Sequence, residues 1–299
     1  MARRVLRVGT RGSLLARTQT EWVTARLQRV HPDLHVEIRV IQTTGDLHQS
    51  VPFHQVGTRG MFVKEIEQAL YDDVIDVGVH SLKDLPSVLP EGLELACIPE
   101  REDPLDALIA PKGQAVRLLP QGARVGTSSL RRRAQLRHFR PDLQVIELRG
   151  NLDTRLRKWE EGQYDAIVLA CAGLRRLGLA GRITERIPLE VCVPAPGQGA
   201  LGLEIRCGDR ETRRLLAAVH DPDSADCVAA ERSFLAAIEG GCSVPAGALA
   251  TLQGDRLTLT VVLASPDGAW VRRHTISGAR TEARQIGETA ARVLLEAGE

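Results

Sequence analysis

Arg7-Val8-Gly9-Thr10, near the start of the 299-residue chain, returns in mid-chain as Arg124-Val125-Gly126-Thr127. In both places a short apolar strand passes through Gly-Thr into an arginine-bearing stretch of helical spacing. The first stretch opens with Thr10, Arg11 and Ser13, the second with Thr127, Ser128, Ser129, Arg131, Arg132 and Arg133. The echo continues downstream. Pro32-Asp33-Leu34-His35-Val36-Glu37-Ile38 is answered by Pro141-Asp142-Leu143-Gln144-Val145-Ile146-Glu147-Leu148. Tyr71-Asp72-Asp73-Val74-Ile75-Asp76-Val77 is answered by Tyr164-Asp165-Ala166-Ile167-Val168-Leu169. Strand, helix, strand, helix, strand, written twice, predicts an α/β chain built from two duplicated units.

A helix N-terminus leaves backbone N–H groups without intrahelical partners, and the macrodipole adds positive potential there. Hydroxyls can cap such ends or bind a ligand, and guanidinium forks suit carboxylates. Taken singly, these serines could merely cap and these arginines merely face solvent. Two loops armed alike favour one anionic ligand held in a cleft between two hinged lobes.

Composition narrows the partners. A hydrophobic content of 43% supports two or three globular domains. A net charge of +1 and 3% aromatics give little support for nucleic acid as a partner, so the basic run Arg131-Arg132-Arg133 with Arg137 and Arg140 reads better as a solvated or ligand-binding face. No apolar run approaches transmembrane length and Met1-Ala2-Arg3-Arg4 opens no secretory signal, so the expectation is a cytoplasmic protein with no membrane partner. The six cysteines form no Cys-x-x-Cys pair and no zinc spacing, so free thiols and no metal site are expected.

The domain reading places lobe 1 at residues 1–99 with 200–220, lobe 2 at 104–193, and a C-terminal α+β domain at 221–299 with a three-stranded antiparallel sheet. Its strands are expected at 246–252, 256–264 and 269–276, and its helices at 224–238 and 282–297. The long connection from Thr43 to Gly60 fits neither strand nor helix and reads as a mobile lid.

Three groups carry candidate chemistry. Ser81-Leu82-Lys83-Asp84 follows a strand predicted over 74–79, and ligands of open α/β sheets gather at strand carboxyl ends. A simple turn with Asp84 as a cap is the competing reading. Gly240-Gly241-Cys242 leaves a thiol open on one side, as a covalent attachment point needs, although lone cysteines are commonly just buried. Arg149, Arg155 and Arg176 stand around successive strand ends, and with Arg11, Arg131 and Arg132 they could hold several carboxylates at about 1.5–3 kcal/mol per charged hydrogen bond.

Taken together, Thr10-Arg11-Gly12-Ser13, His80-Ser81-Leu82-Lys83-Asp84, Val125-Gly126-Thr127-Ser128-Ser129-Leu130-Arg131-Arg132, Leu148-Arg149-Gly150-Asn151, Pro196-Gly197-Gln198-Gly199-Ala200 and Glu239-Gly240-Gly241-Cys242 resemble the hydroxymethylbilane synthase (porphobilinogen deaminase) family across nearly the whole chain. The resemblance implies two duplicated hinged lobes of the type II periplasmic-binding-protein kind plus the C-terminal domain. It implies a transferase that joins four porphobilinogen molecules head to tail with loss of ammonia and then releases linear hydroxymethylbilane by hydrolysis. It implies a dipyrromethane cofactor in thioether linkage to Cys242, and Asp84 as the catalytic carboxylate. Acetate and propionate groups fall to Arg11, Arg131, Arg132, Arg149, Arg155, Arg176, Lys83, Ser13, Ser81, Thr127, Ser128 and Ser129. Arg59, Phe62 and Gln198 fall to a lid or hinge. Gln55 and Arg59 stand where the family commonly has lysine, so one expected lid cation is missing and another is a guanidinium. A monomer acting on porphobilinogen is expected. The rival reading is a two-lobed binding protein for an anionic ligand without catalysis, because the same architecture serves receptors.

Overall fold

In a computed structural model of the chain, residues 5–43, 63–239 and 245–297 are described. The chain divides into two compact units, residues 1–101 with 200–225 and residues 102–199 with 226–299.

Unit 1 is built on a five-stranded sheet. In chain order its elements are β1 (Val5–Arg11), α1 (Leu14–Val30), β2 (His35–Ile41), α2 (Lys64–Tyr71), β3 (Val77–Ser81) and β4 (Leu93–Cys97). Unit 2 supplies β5 (Asp106–Ile109), β6 (Arg124–Gly126), α3 (Leu130–Phe139), β7 (Gln144–Ile146), α4 (Leu152–Glu160), β8 (Ala166–Ala170), α5 (Cys171–Arg176) and β9 (Glu185–Ile187). The chain then returns to unit 1 as β10 (Leu201–Arg206) and α6 (Arg210–Leu216). The sheet orders are β2-β1-β3-β10-β4 and β7-β6-β8-β5-β9. In each sheet three parallel strands run second, first, third, and an antiparallel strand follows them. This shared order is the type II periplasmic-binding-protein arrangement, present twice.

The duplication extends to single contacts. Arg7 N and Nε donate to Asp76 Oδ2 at 2.8 and 3.0 Å, and Arg124 N and Nε donate to Asp165 Oδ2 at 2.7 and 3.2 Å. The Arg7–Asp76 pair sits deeper: burial alone would raise the Asp76 carboxyl, and the Arg7 hydrogen bonds outweigh it and hold the group below the usual carboxylate range. Gly9 and Gly126 leave room for the residue just before each aspartate: a Cβ on Gly9 would lie 2.3 Å from Ile75 Cδ1, and one on Gly126 2.7 Å from Tyr164 Cδ1. Asp76 is therefore the counterpart of Asp165, four positions later than the Tyr-Asp match in the sequence suggests. The strand expected over 74–79 accordingly moves to Val77–Ser81, because Val74 N and Ile75 N still bond back to the Ala69 carbonyl at the end of α2.

In unit 2 both faces of the sheet are covered. Leu108, Val125 and Val168 pack on one side, Ala107, Ile109, Ile167 and Leu169 on the other, and such strands read as unbroken apolar runs. The C-terminal part carries α7 (Pro222–Glu239), β11 (Ala246–Gln253), β12 (Arg256–Ala264), β13 (Val271–Ala279) and α8 (Ala283–Glu296), with sheet order β11-β12-β13, antiparallel throughout. Along β12, Leu257, Leu259, Val261 and Leu263 point into a core with Phe234 of α7 and Ile286 of α8, while Thr258 and Thr260 meet Ser277 and Thr275 on the open face. That alternation makes both helices cover one face of the sheet.

Candidate functional site

The turn that carries Lys83 and Asp84 follows β3 directly. Ser81 ends β3, and Leu82–Asp84 form a 3-10 turn with Leu82 buried and Lys83 and Asp84 exposed. The Ser81 hydroxyl donates to Gln19 Oε1 of α1 at 3.0 Å, and Leu82 N donates to the Ala200 carbonyl at 3.0 Å. These bonds fix the stem of the turn and leave the Asp84 carboxylate in water.

Several candidate hydroxyls have structural partners. Ser13 caps α1, its Oγ accepting from Ala16 N at 3.3 Å, and Ser129 caps α3, its Oγ accepting from Arg132 N at 3.4 Å. Thr127 Oγ1 accepts from Ser129 N at 3.2 Å, and Ser128 Oγ donates to the Leu148 carbonyl. Capped N-termini still aim further N–H groups outward, so both units present an anion-friendly strand-to-helix turn. Arg11, half-buried at the end of β1, stands at the first of them.

The arginines separate into two classes. Arg131 and Arg132 turn inward onto Asp106, which has no exposed surface. Arg131 Nη1 and Arg132 Nη2 each lie 2.7 Å from an Asp106 oxygen, and Gln198 Nε2 donates to Oδ1 at 2.9 Å. Arg131 also donates to the Val193 carbonyl and Arg132 to the Val168 carbonyl. Burial would raise the Asp106 carboxyl, but two adjacent guanidiniums outweigh it and hold the group well below the usual range. The cluster is thus a buried centre of two cations on one anion. Gln198, expected in a lid or hinge, is 1% exposed and belongs to this cluster.

Arg149 in the loop after β7, Arg155 in the first turns of α4 and Arg176 at the end of α5 are half-buried. Arg149 Nη2 donates to Glu147 Oε1 at 2.7 Å, and Arg155 Nε to the Gly150 carbonyl at 2.7 Å. Arg176 Nη2 donates to the Gly199 carbonyl at 2.7 Å, and burial pulls its guanidinium down to about 10, with Glu102 opposing. It stays charged at neutral pH, and a neighbouring carboxylate would relieve that burial. Guanidinium forks of this kind suit carboxylates.

Burial pushes the Cys97, Cys171 and Cys192 thiols up to about 12. Cys227 is buried and Cys207 exposed. Cys242, Gln55, Arg59 and Phe62 lie outside the described residues. Sequence reasoning missed Asp106 and also Glu231, a fully buried carboxylate of α7 whose oxygens accept from Gly197 N at 2.7 Å and Ala250 N at 2.8 Å. The signal for Asp106 was present: a lone acid inside the apolar run Leu105 to Ala110 needs a buried partner. No helix among the described residues is long and apolar enough to cross a membrane.

Comparison with known proteins follows the same lines. Residues 6–214 match the model "porphobilinogen deaminase, dipyromethane cofactor binding domain", and residues 225–296 match "porphobilinogen deaminase, C-terminal domain". The chain is 53% identical to a porphobilinogen deaminase of Syntrophotalea carbinolica, over 100% of this chain and 95% of that one. It is 50% identical to that of Syntrophobacter fumaroxidans, over 100% and 96%. Among solved structures it resembles a Salmonella typhimurium periplasmic binding protein of high arginine specificity at 13% identity and TM-score 0.40, covering 74% of this chain and 94% of that one. That likeness is too loose to bear on function. Both family models are matched in order and the relatives align from end to end, so the chain belongs to the porphobilinogen deaminase family.

Proposed function

We propose that the chain is a hydroxymethylbilane synthase that joins four porphobilinogen molecules head to tail and then releases linear hydroxymethylbilane by hydrolysis. The observation that carries this reading is that the model named for cofactor binding spans residues 6–214, a range that contains Asp84 and all six arginines. Three modules divide the work: residues 1–99 with 200–220 for catalysis, 104–193 for carboxylate binding, and 221–299 for attachment through Cys242.

At each condensation porphobilinogen loses ammonia from its aminomethyl carbon, and the electron pair of the pyrrole nitrogen stabilises the cation that forms. The exposed Asp84 carboxylate, on a turn fixed at its stem, sets a negative charge beside that cation. A dipyrromethane held by these residues would supply the pyrrole carbon at which the new carbon–carbon bond forms, with loss of the proton that carbon carries. Arg149, Arg155 and Arg176 take acetate and propionate groups, joined by Arg11, Lys83 and the Ser81, Thr127 and Ser128 hydroxyls. Arg131 and Arg132 act from their anchor on Asp106, and Ser13 and Ser129 through the helix ends they cap. Cys242 is the attachment thiol, and the buried thiols of Cys97, Cys171 and Cys192, held protonated at neutral pH, support that choice.

A near-neutral, aromatic-poor chain supports a small molecule over nucleic acid as the partner, and a cytoplasmic monomer is part of the same proposal. The intact mass of the purified protein tests the reading. It should exceed the sequence mass by one dipyrromethane, Cys242→Ala should lose that excess and all turnover, and light scattering should report one chain per particle. An unmodified mass with no turnover would favour the binding-protein reading.

A further inference from the structure

The interior of unit 1 holds two ionisable side chains that this chemistry does not use. His80 on β3 is 5% exposed and Glu204 on β10 is fully buried, and His80 Nε2 lies 3.0 Å from Glu204 Oε2. The strands are antiparallel, with His80 opposite Gly202 and Glu204 opposite Gly78, so the two side chains share a face and meet on the diagonal. Gly78 makes the space: a Cβ there would come 2.8 Å from both His80 Nε2 and Ile66 Cγ2.

Helix α2 closes this face with Ile66 and the half-buried Glu67. Burial, then the Glu204 charge, raises the Glu67 carboxyl, with His80 and Lys64 opposing. Among the described residues no hydrogen-bond donor reaches either Glu204 oxygen, and the His80 contact itself is out of line for a hydrogen bond. A carboxylate buried without donors is costly, and the His80 imidazole, 3.0 Å away, is placed to offset it. Such an arrangement persists where something depends on it. Directly after His80 come Ser81, tied to Gln19, and Leu82, tied to Ala200. The strand end that launches the Asp84 turn is therefore held on one face by Gln19 and on the other by Glu204.

We propose that His80 and Glu204 are a positioning pair for the catalytic turn, fixing the end of β3 so that Asp84 stands in its productive place. The proposal rests on the reading of Asp84 as the catalytic carboxylate.

The test uses holoenzyme carrying Glu204→Gln, His80→Gln or both, with Asp84→Asn alongside, measuring intact mass, thermal midpoint, kcat and KM for porphobilinogen. Either single substitution should lower kcat about tenfold, the scale of a sub-ångström misplacement of a reacting group. KM should stay within about twofold and the cofactor mass should be unchanged, the mark of an interaction realised in the transition state. The double variant should be no slower than the slower single one, because each partner acts through the other. A lowered midpoint with unchanged kcat, or a loss confined to KM, would make the pair purely structural and overturn the proposal. If Glu204→Gln does not fold, His80→Gln decides alone, and failure of both to fold also overturns it. Normal turnover by Asp84→Asn would instead overturn the reading of Asp84, whatever the pair does.

Discussion

Arg132 grips Asp106 side-on, with Nε 2.9 Å and Nη2 2.7 Å from the same Oδ1, while Arg131 takes Oδ2 at 2.7 Å. Two guanidiniums from adjacent positions of α3 are buried on one carboxylate of β5. Removing that carboxylate would leave two like charges facing each other away from water. Asp106→Asn should therefore cost about 3–5 kcal/mol of stability, the range for breaking a buried ion pair from one side. Chemical denaturation reads this directly, and a loss inside about 1 kcal/mol would mean that water or another anion replaces Asp106.

The same carboxyl shapes the acid limb of stability. Its folded pKa lies below its unfolded value near 3.9, so its contribution is complete above that value and is lost as pH falls below it. Thermal midpoints of the parent protein should fall below about pH 4, and Asp106→Asn should flatten that fall. An equally steep fall in the variant would assign the effect to Asp76 and Asp142, which are also depressed, Asp142 to about 2 by its Arg140 hydrogen bonds.

Asp84→Asn keeps the shape and hydrogen bonding of the side chain and removes its charge. Turnover should drop roughly a hundredfold, with substrate binding and stability much less affected because the carboxylate is exposed and the turn is held by Ser81 and Leu82. Equal losses in binding and turnover would return Asp84 to the role of a turn residue.

The two classes of arginine should fail differently. Arg131→Leu or Arg132→Leu uncouples half of the Asp106 cluster, so the outcome should be mainly cofactor-free protein of lowered stability. Arg176→Leu removes a half-buried cation that lies outside that cluster, so the protein should keep its stability, accept the cofactor and accumulate partly elongated chains. Mass spectrometry after brief exposure to porphobilinogen counts the added rings. One identical ladder for all the arginine variants would reduce them to a general positive field.

Glu231→Ala would strip the acceptor from the Gly197 and Ala250 amides, at about 1–3 kcal/mol for each buried donor left unmet. Thermal denaturation should show the loss, and Glu231→Gln, which keeps one acceptor oxygen, should lose less. Equal midpoints for the two variants would show that the negative charge, not the pair of hydrogen bonds, is what the site uses.

What was legible in the sequence is what depends on near neighbours. The Ser13 and Ser129 caps act within three residues, the β12 alternation is a property of the strand itself, and Gly-Thr before a helix marks the same turn in both units. The duplicated order of elements, the C-terminal sheet and the place of the Asp84 turn could all be read from such patterns. What only the tertiary structure decided is which distant group answers a buried charge. Asp106 finds Arg131, Arg132 and Gln198, Glu231 finds Gly197 and Ala250, and Glu204 finds His80, each across 19 or more residues of chain. Even the internal repeat needed the fold to align it, since Asp76, not Asp72, answers Arg7 as Asp165 answers Arg124. The reason is physical. Caps and periodicity are set by bonds within a turn or a strand, whereas a charge in a low-dielectric interior is compensated by whatever the packing of separate elements brings within about 3 Å, and no local pattern encodes that distance.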